Sequence, residues 1–271
     1  MIGAFQRVRS ERTTTQLQLV VRLARRQIAQ RYRESLLGGA WALLNPLILL
    51  GLYWFIFAKV FESSWIGPES TASYALLIYS GIVIFTLFSE IANNTTNVVQ
   101  NNSLLIKRTT VSARVLPLAS SLASVFTFAL NSVPFLIMFV LLEGKAPPAT
   151  AFLTPVLVLL LLTLATGIGM IIASIAAYFR DVQQVVPLLT TATLFLSPIF
   201  YPLDELPPNI RGAMEYLTPL GIILPASKKL LFLGEIPSLW PLVGYAIVAV
   251  VVFVIGWSVY GVASRGFSDV V

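Results

Sequence analysis

The sequence contains no cysteine and no histidine. Disulfides, thiol nucleophiles, imidazole bases and the usual zinc sites are thereby excluded, and the polar chemistry left is carboxylate, guanidinium, amine, hydroxyl and amide. Charge is scarce as well: 11% of the 271 residues are charged, against roughly 25% in a soluble domain. No GxxxxGK[ST] phosphate loop occurs, so any ATP that drives this protein must be bound by a separate subunit. The first 35 residues are polar and basic without an apolar h-region, so no cleavable signal peptide is expected.

What is present is apolar: 57% of the residues are hydrophobic. They gather in runs near the roughly 20 residues that a helix needs to cross hydrocarbon. Six such runs are legible, about Trp41 to Val60, Tyr74 to Ala92, Leu116 to Leu142, Phe152 to Tyr178, Val182 to Phe200 and Trp240 to Val262. The expectation is an all-α membrane protein with six transmembrane helices, in three parts: a cytoplasmic arm and interfacial helix (1–37), a transmembrane domain (38–264) and a cytoplasmic tail (265–271).

Orientation follows from the basic residues, which cytoplasmic loops retain. With the N terminus inside, 13 of the 18 Lys and Arg residues fall on the inner side and 5 on the outer. Both termini are therefore expected in the cytoplasm. Eight of the inner ones are the arginines that precede Glu34. Net charge of +6 concentrated beside a span points to a membrane face and not to nucleic acid. Within that arm, Leu17, Val21, Ala24, Ile28, Tyr32 and Leu36 recur in steps of three or four between arginines. That is the pattern of an amphipathic helix lying in the membrane interface. Such a helix serves as an anchor, and its arginines could also guide an anionic lipid headgroup.

Between the fifth and sixth runs, Tyr201 to Leu239 carries six prolines. Leu217 to Leu233 is apolar but interrupted by Pro219, Pro225, Lys228 and Lys229, too broken to span. Re-entrant helices on the outer face fit, their irregular backbone shielded by protein or lining a wet cavity. Charges within the runs sit near their ends: Glu90 reads as a residue at the cytoplasmic interface, because mid-membrane charge is costly. Two inner loops could receive a partner or serve simply as basic anchors: Asn101 to Arg114, long enough for a short helix, and the turn at Arg180 and Asp181. Aromatic residues crowd the first, second and fifth runs. Tyr53, Phe57, Phe85, Phe88, Phe195, Phe200 and Tyr201 could stack on sugar rings along a path, or be belts and core packing.

In order and spacing, four stretches carry a resemblance that spans most of the chain: RYRESLLGGAWALLNPL (31–47), YFRDVQQVVP (178–187), SPIFYP (197–202) and LTPLGIILPASKKLLFLGEIP (217–237). Together they resemble the polysaccharide-exporting ABC type-2 permeases, which move O-antigen, capsule or teichoic acid chains on a lipid carrier. The resemblance implies a homodimer in the bacterial cytoplasmic membrane, each copy docked on an ABC ATPase, with a lipid-linked glycan passing outward between the copies. It implies no cofactor in this chain, ATP and Mg being held by the ATPase. Arg31 and Arg33 become candidates for the carrier pyrophosphate, by charge-assisted hydrogen bonds. Leu105, Lys107, Arg108, Arg180 and Asp181 become candidates for contact with the ATPase subunit, and the broken outer segment becomes a gate. The pair Lys228 and Lys229 has no place in that pattern.

Three other readings stay open. One is the same fold exporting a drug or another lipid. Another is a polyprenyl-dependent membrane enzyme, which would need acids grouped at a membrane face, whereas the acids here are scattered. The last is a scaffold or channel subunit.

Overall fold

The computed structural model describes residues 2–33, 40–55, 71–108, 112–203 and 206–270. Among them there is no strand. The helices are α1 (Ile2–Arg33), α2 (Trp41–Phe55), α3 (Thr71–Thr96), α4 (Ser103–Arg108), α5 (Val115–Glu143), α6 (Thr154–Ala176), α7 (Val182–Leu196), α8 (Pro208–Leu217), α9 (Ile223–Lys228), α10 (Leu239–Ala263) and α11 (Phe267–Val270).

Four segments are long and apolar enough to cross a membrane: Tyr74–Thr96, Val115–Glu143, Ala149–Ala176 and Leu239–Gly266. They match the second, third, fourth and sixth apolar runs. The fifth run forms α7, an apolar helix of 15 residues. The first run forms α2 as far as Phe55, and its expected continuation to Val60 lies outside the described residues.

Helix α3 is the hub. It packs on α2, α5, α6 and α7, and Leu76, Ile78, Tyr79, Leu87 and Ile91 on it are almost completely buried. Two buried threonine hydroxyls bond within the helix: Thr95 Oγ1 donates to the Ile91 carbonyl at 2.7 Å and Thr96 Oγ1 to that of Ala92 at 2.8 Å. These polar residues thus enter the core without orphaned groups. Helix α10 is the opposite case. Aliphatic residues dominate its surface, and Ile247, Val250, Val251, Val254 and Ile255 are all exposed, as befits a helix whose outer face meets lipid.

The closest seam joins α6 to α10. A Cβ added at Gly167 would come within 2.7 Å of the Phe253 backbone, and one at Gly256 would collide with the Gly167 carbonyl. Small residues at these crossing points let two membrane helices approach backbone to backbone. Helix α5 contains Pro134, which leaves one upstream carbonyl without its helical donor. Nearby, Tyr79 Oη of α3 donates to the Asn131 carbonyl at 3.0 Å. Gly144, at φ 64°, ends α5 in the left-handed conformation that glycine adopts without a Cβ penalty.

The bundle has two distinct ends. One holds α1, α4, the turn after α6 and α11, and is sealed by Val98, Val99, Leu116, Met170, Tyr260 and Phe267. The other holds α8, α9 and the start of α10, with Leu76, Phe135, Phe139 and Leu231 packed beneath. Helix α1 starts well before Leu17, and packing against α5 sets which face it buries. Val20, Leu23 and Ala24 are inside, whereas Leu17 is exposed and Val21 and Ile28 are half-buried. The expected stripe is thus rotated, because a neighbouring helix covers part of it.

Candidate functional sites at the two ends of the bundle

At the first end, one guanidinium joins three helices. Arg31 of α1 donates through Nη1 to Glu90 Oε1 of α3 at 2.8 Å and to Thr127 Oγ1 of α5 at 2.9 Å. The pair is partly exposed on both sides, with side-chain exposures of 37% and 20%. Solvent screening therefore limits its contribution, in contrast to a fully buried ion pair. Glu90 Oε2 is buried and takes no hydrogen bond among the described residues. Beside this clasp lies a cavity of about 360 Å³ walled by Arg26, Gln27, Gln30, Arg31, Asn94, Asn101, Asn102 and Ser120, among others. Such a wall of guanidinium and amide groups suits an anion. Among the described residues, two of the five Arg31 donors are engaged by the clasp, with Nε and Nη2 on the same planar fork. Arg33 ends α1, and its side chain lies outside the described residues.

The same end carries the candidate partner surface. The basic loop forms helix α4, as its length allows. Leu105 packs into the end cluster, Lys107 is exposed, and the side chain of Arg108 is outside the described residues. Arg180 and Asp181 are exposed in the turn between α6 and α7. Two exposed apolar side chains flank these charges, Leu104 at 67% and Phe179 at 66%. Apolar residues ringed by charge are the composition of a surface that another protein covers.

The chain's last residues, which in sequence read only as a tail, join the two loops. Phe267 is fully buried, with ring centroids 5.3 Å from Tyr260 and 6.1 Å from Tyr178. Tyr178 Oη donates to the Ala263 carbonyl at 2.9 Å, and α11 packs on α4. Arg114, in sequence one more basic anchor, has a packing role as well. Its guanidinium sits 4.8 Å from the Trp257 ring and fills the space left by Gly261, where a Cβ would collide with it. Cation and indole attract through the ring quadrupole. Trp257 and Gly261 one helical turn apart were the only sequence signal, and nothing in the sequence paired them with Arg114.

The aromatic candidates separate into groups. Phe88 is 5% exposed and Phe85 half-buried, both in the core around α3, so within one copy Phe88 offers no surface to a passing molecule. Phe195, Phe200 and Tyr201 come together around the C-terminal end of α7. The Phe195 and Phe200 rings lie 6.3 Å apart, Tyr201 Oη donates to the Leu196 carbonyl at 2.9 Å, and Tyr74 Oη donates to the Phe200 carbonyl at 3.1 Å. Phe195 is 65% exposed. The Tyr53 side chain and all of Phe57 lie outside the described residues.

At the second end a cavity of about 380 Å³ lies between the segment after α7 and α8, α9 and the start of α10. Lys228 reaches into it, and its Nζ donates to the Pro198 carbonyl at 3.0 Å. Burial pushes the ammonium down from its ordinary value of 10.5, to about 8, since a desolvated charge is disfavoured. The same cavity is bordered by Lys229, Arg211 and Glu215.

A sequence model of the ABC-2 type transporter matches residues 18–232, from the middle of α1 to the turn after α9. The chain belongs to the ABC-2 type transporter family. Within it, the chain is 26% identical to the O-antigen export system permease protein RfbA of Myxococcus xanthus, over 93% of this chain and 94% of that one. It is 27% identical to the polysialic acid transport protein KpsM of Escherichia coli, over 87% and 89%. It is 20% identical to the capsule polysaccharide export inner-membrane protein CtrC of Neisseria meningitidis serogroup B, over 74% of each. An ABC-2 transporter domain is a transport subunit, and among the described residues no group of His, Cys, Asp and Glu could hold a metal.

Proposed function

We propose that this ABC-2 chain is the membrane-spanning permease subunit of an exporter that moves a polyprenyl-pyrophosphate-linked, O-antigen-like polysaccharide outward across the bacterial cytoplasmic membrane. The observation that carries the reading is likeness to a permease named for O-antigen export over 93% of this chain and to one named for capsule polysaccharide export over 74% of it. In this reading α2 and α7 complete six spans, both termini are cytoplasmic, and α8 and α9 form a re-entrant gate on the outer face. Two copies assemble around a path, and each docks an ABC ATPase that holds ATP and Mg.

In this reading the work divides among the candidate residues. Lys107, Arg108, Arg180 and Asp181 meet the ATPase, with Leu105 anchoring α4 from beneath. Because Phe267 and Tyr178 tie α4 to the turn at Arg180, a push on either loop reaches both. Arg31 meets the carrier's pyrophosphate from the cavity beside the clasp, and Arg33 is assigned to the same group from the sequence alone. Phe195, Phe200 and Tyr201, with Tyr53 and Phe57, give the glycan shallow stacking contacts. Many weak contacts of this kind let a polymer slide.

Transport into inverted vesicles tests the reading. Labelled lipid-linked glycan is expected to become protected from an added glycosidase only when this chain, the ATPase and ATP are all present. Protection without ATP, or none with a correctly assembled complex, would contradict it.

A further inference from the structure

Lys228 is a lysine in an unusual setting. A lysine at a membrane surface ordinarily lays its stem on apolar atoms and sends the ammonium to water. Lys228 instead turns inward, onto the Pro198 carbonyl at 3.0 Å. That bond engages one of three ammonium donors, and no carboxylate among the described residues forms an ion pair with it. Among the described residues, Lys228 and Lys229 set two ammonium groups at this cavity, with one carboxylate, Glu215, at its border. That pair of ammonium groups favours an anion.

The remaining wall is apolar and identifies the kind of anion. Tyr74, Phe200, Leu233 and Leu242 line the cavity. Leu242 belongs to the first turn of α10, where Leu239 and Trp240 are 68% and 83% exposed. From there the exposed aliphatic face of α10 runs on along the bundle. A volume of about 380 Å³ accommodates a headgroup and not the chains attached to it. Tails laid along α10 with a phosphate at Lys228 satisfy both surfaces, whereas a free soluble anion would leave the apolar wall unused.

We propose that the cavity between α8, α9 and the start of α10 is a binding site for a lipid phosphate, with the Lys228 ammonium as its principal contact. The leaflet, the outer one, rests on the orientation in the proposed function; the site itself rests on the cavity. Its lipid is either a bilayer phospholipid or the carrier arriving after translocation, and both present the same phosphate chemistry.

The test uses the full chain in a non-ionic detergent, with phosphatidylglycerol and a polyprenyl diphosphate as separate probes. Reductive methylation of the wild-type protein, read by peptide mass, is expected to be slowed at Lys228 by bound lipid. Lys145 lies at the same end and is 67% exposed, and is not expected to be protected. Protection by the diphosphate alone assigns the carrier, protection by phosphatidylglycerol alone the bilayer lipid, and protection by both a general phosphate site. In native mass spectrometry, Lys228→Met is expected to lose bound lipid about tenfold, the scale of one hydrogen bond to a charged group, while Lys228→Arg retains it. Undiminished binding by Lys228→Met, or failure of both lipids to protect wild-type Lys228, would overturn the site. Protection in a protein whose ATPase ignores every glycan would keep the site and remove the export reading.

Discussion

The two ends of the bundle handle charge in opposite ways. At the α1 end a cation is matched within the protein: Arg31 bonds Glu90 and Thr127, and Arg114 lies against Trp257 in the space beside Gly261. At the α8–α9 end Lys228 has a carbonyl for company and a cavity in front of it. The first arrangement fastens helices to one another and leaves part of the Arg31 fork over, whereas the second ties an ammonium to a backbone carbonyl alone. Charge at the α1 end is thus partly structural, and charge at the other end is available to a ligand.

Both ends hang on the α6–α10 seam, so opening it should have the largest effect. Gly256→Leu drives a side chain into the Gly167 backbone and is expected to cost about 3 kcal/mol, the upper range for overpacking. A fall in the thermal midpoint of the detergent-solubilised protein, with loss of a monodisperse peak, checks this. An unchanged midpoint would mean that the seam is not close-packed.

Next in size is the clasp. Arg31→Ala and Glu90→Ala in a double-mutant cycle are expected to show a coupling of about 1 kcal/mol, between the values for exposed and buried pairs. Zero coupling would erase the contrast between the ends. For Arg31→Ala with Arg33→Ala, weaker binding of a polyprenyl pyrophosphate glycan is also expected, and unchanged affinity would remove the pyrophosphate assignment.

The Lys228 end should instead respond to pH. Its folded pKa is depressed to about 8 from 10.5, so the unfolded chain holds more protons between those values, and stability rises with pH across that window. Below about 8 both states are protonated and the cost of the buried charge is constant. Thermal midpoints are expected to climb from about pH 8 to about pH 10 in wild type and to lose that slope in Lys228→Met. Equal slopes would place the titration elsewhere. Smallest in stability is Lys107→Glu, within about 0.5 kcal/mol as for an exposed site. Its expected effect is on assembly with the ATPase or on coupling, measured by co-purification and ATP-driven transport, and full activity would count against α4 as the docking element.

Much of the fold was legible because membrane spans are written in composition. Four of the six apolar runs appear as helices of spanning length, and the polar loop before Arg114 holds α4. What could not be read was decided by packing between distant residues. The buried face of α1 is Val20, Leu23 and Ala24 because α5 lies beside it. Phe88 and Phe195 look alike in a string of letters, yet one is core and the other exposed. Arg114 with Gly261, Lys228 with Pro198 and Phe267 with Tyr178 are pairs for which periodicity offers no guide. The lysine pair stood out in the sequence only as an interruption of an apolar stretch with no place in the family pattern.

The export reading is tested most directly by purifying this chain with a partner ABC ATPase and measuring ATP hydrolysis in nanodiscs as a lipid-linked glycan is added. Stimulation by the glycan, reduced by Lys107→Glu, is the predicted result. A stable complex whose hydrolysis is indifferent to every lipid-linked glycan would contradict it.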